Sequence, residues 1–141
     1  MGAHTRRTTL KYMLLMNSGP IEGVPSTYQW TPEEVKAGWA HMGQLYQELT
    51  ESGELVGTEM LAGPQAAKFV TSDGVSAPVV TDGPFPESKE LLAGYWMVDV
   101  ESEERAIEIA ARTSAAPGPG GRPTRRPIEL RPIMSAHDPV L

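Results

Sequence analysis

One histidine and one short charged stretch carry the residue types suited to proton transfer. His41 lies away from both chain ends. Imidazole titrates near physiological pH, which makes it a candidate general acid or base. Downstream, Asp82-Gly83-Pro84-Phe85-Pro86 sets a carboxylate in a conformationally restricted turn, with Glu87 and Lys89 directly after it. Asp82 can fold its side chain onto the backbone two residues on. Gly83 precedes a proline and is biased to extended backbone, Phe85 can anchor the loop in the core, and Pro86 stiffens its exit. Such a turn can hold Asp82 beside a pocket, orienting His41 or accepting from a substrate. The plain structural readings are a tight turn between two strands and a rim histidine with no chemistry. Glu87 and Lys89 can pair with each other, an exposed pair worth under about 1 kcal/mol, or one can face a pocket. Tyr12, Tyr95, Trp96 and Arg131 are weaker candidates. Arg131 suits a bidentate grip on a carboxylate, or simply meets Glu129 or a partner chain. Tyr95 and Trp96 alternate along one strand, so one of them belongs to the core and the other does not.

Several chemistries are excluded by what the sequence lacks. With no cysteine there is no disulfide, no thiol nucleophile and no thiolate-ligated metal. A structural zinc site is not expected, and neither is another metal or cofactor. Nucleotide-phosphate and hydrolase signatures are missing. The chain carries 12 basic against 18 acidic residues, net −6, so no nucleic-acid partner is expected. No run of about 18 apolar residues occurs, so no membrane span is expected, and the protein reads as cytoplasmic.

The elements that must position these residues follow from pattern. The 141 residues suit one domain over 10–134, with a flexible lead at 1–9 and a flexible tail at 135–141. Leu10–Met16 is a short apolar run, read as a buried strand. The loop after it, rich in Gly and Pro, is long enough to suggest function. Thr31, Pro32 and Glu34 form a capping-box helix start, and Gly53 closes the helix. Val35, Trp39, Met42, Tyr46 and Leu49 make its apolar stripe. His41 lies about 120° from the stripe's centre, sharing a flank with Gly38 and Leu45. Glu54–Leu61 reads as a strand, and 68–71 and 77–81 as a hairpin turning at Asp73-Gly74. Ala93–Val100 is the next strand. Ser102 caps a second helix with Ala106, Ile107, Ala110 and Ala111 as its face. Residues 114–127 are a Pro/Gly/Arg-rich, loose basic connection, and Ile128–Met134 a last strand that Pro132 puts at an edge or at its own end. Two helices on a mostly antiparallel sheet make a ferredoxin-like α+β sandwich. Its second sheet face needs a cover, which a second copy would supply.

The stretch VTDGPFPESKELLAGYWMVDV, Val80–Val100, resembles the signature of the DGPF family within the YCII-related group. The match runs from Val80 to Tyr95, with Ser88 and Gly94 at motif positions. LKYMLLM, LYQELTESGELVGTEML, ESEERAIEIAAR and IELRPIM resemble the family's flanking elements, so the likeness covers residues 10–134. It implies a dimeric α+β barrel, two subunits packed sheet to sheet. For some relatives it implies a small-molecule enzyme using a histidine–aspartate pair. For others it implies a regulatory setting beside extracytoplasmic-function sigma factors. Asp82 matches the motif's aspartate. His41 stands one position from the relatives' histidine, counted back from the helix's closing glycine, and one helical step is about 100°. The connection at 114–127 is longer and richer in arginine than the family's usual one.

Three functions follow as expectations. The first is a homodimer binding a small molecule near the DGPF loop, with metal-independent lyase- or isomerase-type chemistry at His41 and Asp82 and a charge clamp from Lys89 or Arg131. The second is a non-catalytic ligand-binding or regulatory protein with a protein partner. The third gives Arg122, Arg125 and Arg126 a role in contacting an acidic partner.

Overall fold

The computed structural model describes residues 10–83 and 91–135. The flexible lead expected at 1–9, the tail beyond Ser135, and Phe85, Glu87 and Lys89 lie outside the described residues. Eight main elements follow in order: β1 (Leu10–Asn17), α1 (Pro32–Ser52), β2 (Leu55–Met60), β3 (Lys68–Thr71), β4 (Val79–Asp82), β5 (Leu92–Val100), α2 (Glu103–Ser114) and β6 (Ile128–Pro132). Four strands form one sheet in the order β2-β5-β1-β6, with every neighbouring pair antiparallel. β1 and β2 are therefore parallel with β5 between them, and β5 and β6 are parallel with β1 between them. Each parallel pair is bridged by one helix, a split β-α-β arrangement. β3 and β4 pair separately as a hairpin inserted between β2 and β5.

Local sequence accounts for the helix boundaries. Thr31 Oγ1 accepts from Glu34 N at 3.1 Å, and Glu34 Oε1 accepts from Thr31 N at 2.8 Å. Gly53 closes α1 at φ 82°, a backbone region that favours glycine. Ser102 Oγ accepts from Arg105 N and starts α2. Strand alternation then sorts the side chains by face. Tyr12, Leu14, Trp96, Val98 and Val100 point to the helices and are buried. Leu45, Leu49, Ala106 and Ile109 meet them from above. Trp96 is thus the core member of its pair, and Tyr95 is on the other face.

Both helices are rotated from the expected stripes. On α1, Leu45 and Leu49 are buried, while Trp39 is 61% and Tyr46 50% exposed. The flank holding Gly38, His41 and Leu45 is the one that turns inward. On α2, Ala106, Ile109 and Thr113 are buried and Ile107 is exposed. Each helix has two apolar flanks, and packing selects the one whose side chains are small or aliphatic enough to sit close to the sheet and to the other helix.

The connection expected to be loose is hydrogen-bonded along its length. Pro117 and Pro123 form an isolated bridge. Gly118 N donates to Arg122 O at 2.7 Å, Thr124 N to Ala116 O and Arg125 N to Ser114 O at 2.9 Å. Gly120 N reaches back to Glu34 Oε2 at 2.7 Å, so the carboxylate that completes the α1 cap also fixes the connection.

An ion pair joins the sheet to α2. Glu54 is buried, and Arg105 donates to it through Nε and Nη2, both at 2.9 Å. Ser52 Oγ donates to the same carboxylate at 2.8 Å. Arg105→Ala leaves a buried carboxylate without its cation and is expected to cost about 2–3 kcal/mol in urea unfolding. Replacing both partners with apolar residues, Glu54→Leu with Arg105→Met, is expected to recover most of that loss.

Candidate functional site

The sequence candidates occupy separate places. His41 Nε2 lies 2.7 Å from the carbonyl oxygen of Arg112, in the last turn of α2. A carbonyl only accepts, so Nε2 carries the proton. The bond satisfies one of the carbonyls that a helix end leaves open. Asp82 Oδ1 accepts from Lys68 Nζ at 2.6 Å across the β3–β4 pair. Both of those side chains are largely exposed, so the pair is worth under about 1 kcal/mol. His41 and Asp82 therefore hold different partners, one between the helices and one on the hairpin. Tyr12 is buried on the helix side of the sheet, with its hydroxyl 3.5 Å from Glu103 Oε1. Burial, reinforced by the charges of Glu103 and Glu104, holds its phenol above the usual range. Tyr95 and Arg131 lie on the opposite face of the sheet, and Arg131 Nε is 3.7 Å from Glu129.

The glycines of the motif stretch have steric reasons. A Cβ on Gly83 would lie 2.3 Å from the Phe69 ring, so that ring packs directly on the glycine. Gly83 N also donates to Ala67 O at 2.9 Å. A Cβ on Gly94 would lie 3.0 Å from Glu59 O of the neighbouring strand. The turn and the following strand thus need glycine for close approach, whatever Asp82 does.

A candidate ligand cleft lies elsewhere, away from both the histidine and the motif aspartate. A cleft of about 1050 Å³ opens where β1 ends and β6 begins. One wall is the loop after β1, from Asn17 through Gly19, Ile21, Glu22 and Val24 to Pro25. The other is the connection before β6, from Pro119 through Arg122, Arg125 and Arg126 to Glu129. Arg126 Nη1 spans the two, donating to Asn17 O at 2.6 Å. Ser18, between the lining residues Asn17 and Gly19, is tied to the middle of the motif stretch: its N donates to Leu91 O at 2.6 Å and its Oγ to that carbonyl at 2.9 Å. Two signals pointed here, the long Gly/Pro loop and the arginine cluster, but their meeting is a long-range contact that no local pattern carries. Among the described residues, no group of three or more His, Asp or Glu side chains could hold a metal ion. No helix among them is long and apolar enough to cross a membrane.

The fold and cleft define an α+β domain with two helices on an antiparallel sheet and a ligand-sized opening at one end. The family of the YCII-related domain matches residues 10–124, and the chain belongs to it. It is also similar to an uncharacterised protein of Rhizobium meliloti (strain 1021), 29% identical over 107 residues, which span 76% of this chain and 82% of that protein.

Two outcomes test this geometry. His41→Ala removes the bond to Arg112 O and is expected to cost about 1 kcal/mol of stability, read as a lowered Tm. Glu34 is held below the usual carboxylate range, first by the Gly120 amide and then by that of Thr31. A carboxyl depressed in the folded state stabilises the fold above its unfolded value, and that contribution is lost as pH falls through the folded value. Glu34→Gln is therefore expected to flatten the loss of Tm below the ordinary glutamate value of 4.5 and to speed hydrogen exchange at Gly120.

Proposed function

We propose that this YCII-related protein is a homodimer that binds a small molecule. The observation that carries the ligand reading is the cleft at the end of the sheet. Its volume is of the order of small-molecule sites, roughly 300–1,000 Å³. Its walls are prolines, aliphatic residues and a few charged groups, held by backbone hydrogen bonds.

Dimerisation is supported by the other face of the sheet. Both helices lie on one side. On the other, Met13, Leu15, Tyr95 and Met97 sit in adjacent register, half-exposed at the centre, with Lys11, Asp99, Glu129 and Arg131 around them. A second copy packed sheet to sheet would bury these apolar groups and close the dimeric α+β barrel. Sedimentation is expected to give a particle of twice 15.3 kDa, and Met97→Glu is expected to give the monomer. A wild-type monomer at working concentration would sink the dimer. In a thermal-shift screen, a ligand at 100 times its Kd adds about 2.7 kcal/mol, several degrees in Tm. Ile21→Trp, which fills the cleft, is expected to abolish that shift.

A second reading is acid–base chemistry of lyase or isomerase type at His41 with no metal, oriented by Arg112 O rather than by Asp82, which is held by Lys68 on the hairpin. The hydrogen bond to Arg112 O favours it in one respect: it fixes the proton on Nε2 and leaves the Nδ1 lone pair as the base. Turnover of any screened ligand that survives His41→Ala would overturn it. The regulatory alternative, a protein partner, draws on the exposure of Trp39 and Tyr46 on one flank of α1.

A further inference from the structure

We infer that the cleft's ligand is a small organic carboxylate with an apolar body, its carboxylate on Arg122 and Arg125 and its body against Ile21, Val24, Pro119 and Pro123. This rests on the ligand-binding reading above and adds the ligand's chemistry.

The charge distribution points to an anion. The chain is acidic at −6, yet three arginines within five positions line this one cleft. Arg126 has a structural task, holding the carbonyls of Asn17 and Gly19 at 2.6 and 3.4 Å. Arg122 and Arg125 differ: neither guanidinium has a hydrogen-bond or ion-pair partner among the described residues. Their backbones are nonetheless fixed, because Arg122 O accepts from Gly118 N at 2.7 Å and Arg125 N donates to Ser114 O at 2.9 Å. Two planar donors on a fixed frame are suited to a carboxylate.

The backbone of Arg125 is a second, independent observation. It stands at φ 59°, the one non-glycine among the described residues with positive φ. That region costs an L-residue roughly 1–2 kcal/mol. Glycine, which takes positive φ at 120 and 121 earlier in the same connection, would adopt it without cost. The position instead holds an arginine among the residues that line the cleft, and strain of this kind concentrates at ligand sites.

The remaining lining selects the kind of anion. Glu22 and Glu129 also border the cleft, and like charges disfavour a dianionic phosphate there more than a singly charged carboxylate. The apolar walls add affinity for a hydrophobic body through burial, which a bare inorganic ion would not use.

The test is a ¹H–¹⁵N NMR titration of the full chain at constant ionic strength with benzoate, benzamide and inorganic phosphate, repeated on Arg122→Gln and Arg125→Gln. Benzoate is expected to move the amides of Gly19, Gly23, Gly120 and Gly121 saturably and to bind at least tenfold tighter than benzamide. Each glutamine variant is expected to lose tenfold or more for benzoate and to leave benzamide unchanged. Arg122→Lys is expected to fall between, keeping charge but losing the planar pair of donors. Phosphate binding as tightly as benzoate would overturn the carboxylate assignment. Equal, arginine-independent binding of benzoate and benzamide would overturn the anion proposal and leave the ligand cleft standing. No saturable change at the cleft amides with any probe would overturn both.

Discussion

Glu54 is the residue on which the arrangement of helices and sheet depends. It follows the glycine that ends α1, and its amide donates to Leu49 O at 3.0 Å, completing that helix end. Its carbonyl accepts from Asp99 N at 2.8 Å and ties β2 to β5. Its carboxylate takes two bonds from Arg105 and one from Ser52. One buried acid therefore touches α1, the sheet and the first turns of α2. A carboxylate out of water is costly unless fully paired, so the arginine, the serine and the two backbone contacts form a set that is satisfied only in this geometry. The hydrophobic layer of Leu14, Leu45, Leu49, Val98 and Ile109 supplies the driving force. Glu54 fixes the register in which that layer closes.

Legibility in the sequence followed the range of each interaction. The α1 cap is complete within four residues, so Thr31, Pro32 and Glu34 announce it. The alternation of β5 is equally local and separates Tyr95 from Trp96, while packing under the helices decides that Trp96 is the core member. Which flank of α1 turns inward is not local. Trp39 and Tyr46 outweigh Leu45 and Gly38 in any hydrophobic count, yet the inward face is chosen by what α2 and the sheet can accommodate. His41 follows from the same rotation, which carries the rim position of a reading centred on Trp39 and Tyr46 to the contact between helices.

The connection at 114–127 shows how composition can mislead. Proline and glycine exclude helix and strand there, and that much is met apart from a short 3-10 turn at Pro119–Gly121. Looseness does not follow. Glycines at 118, 120 and 121 and the arginine at 125 adopt particular conformations, and the anchoring groups, Glu34 and Asn17, lie 86 and 109 residues away from their partners. Nothing within the segment's own sequence predicts those anchors. The candidate site was hidden for the same reason, since its two walls come from opposite ends of the domain.

That separation has a consequence for how the protein comes into being. β1 lies inside the sheet and acquires its outer neighbour, β6, only when nearly the whole domain has been made. Pairings of such high sequence separation form late, because loop closure precedes any gain from contact. During synthesis the loop after β1 therefore waits without its opposing wall until the last strand emerges. The cleft is a property of the finished domain alone, and anything that recognises it recognises a domain whose folding is complete.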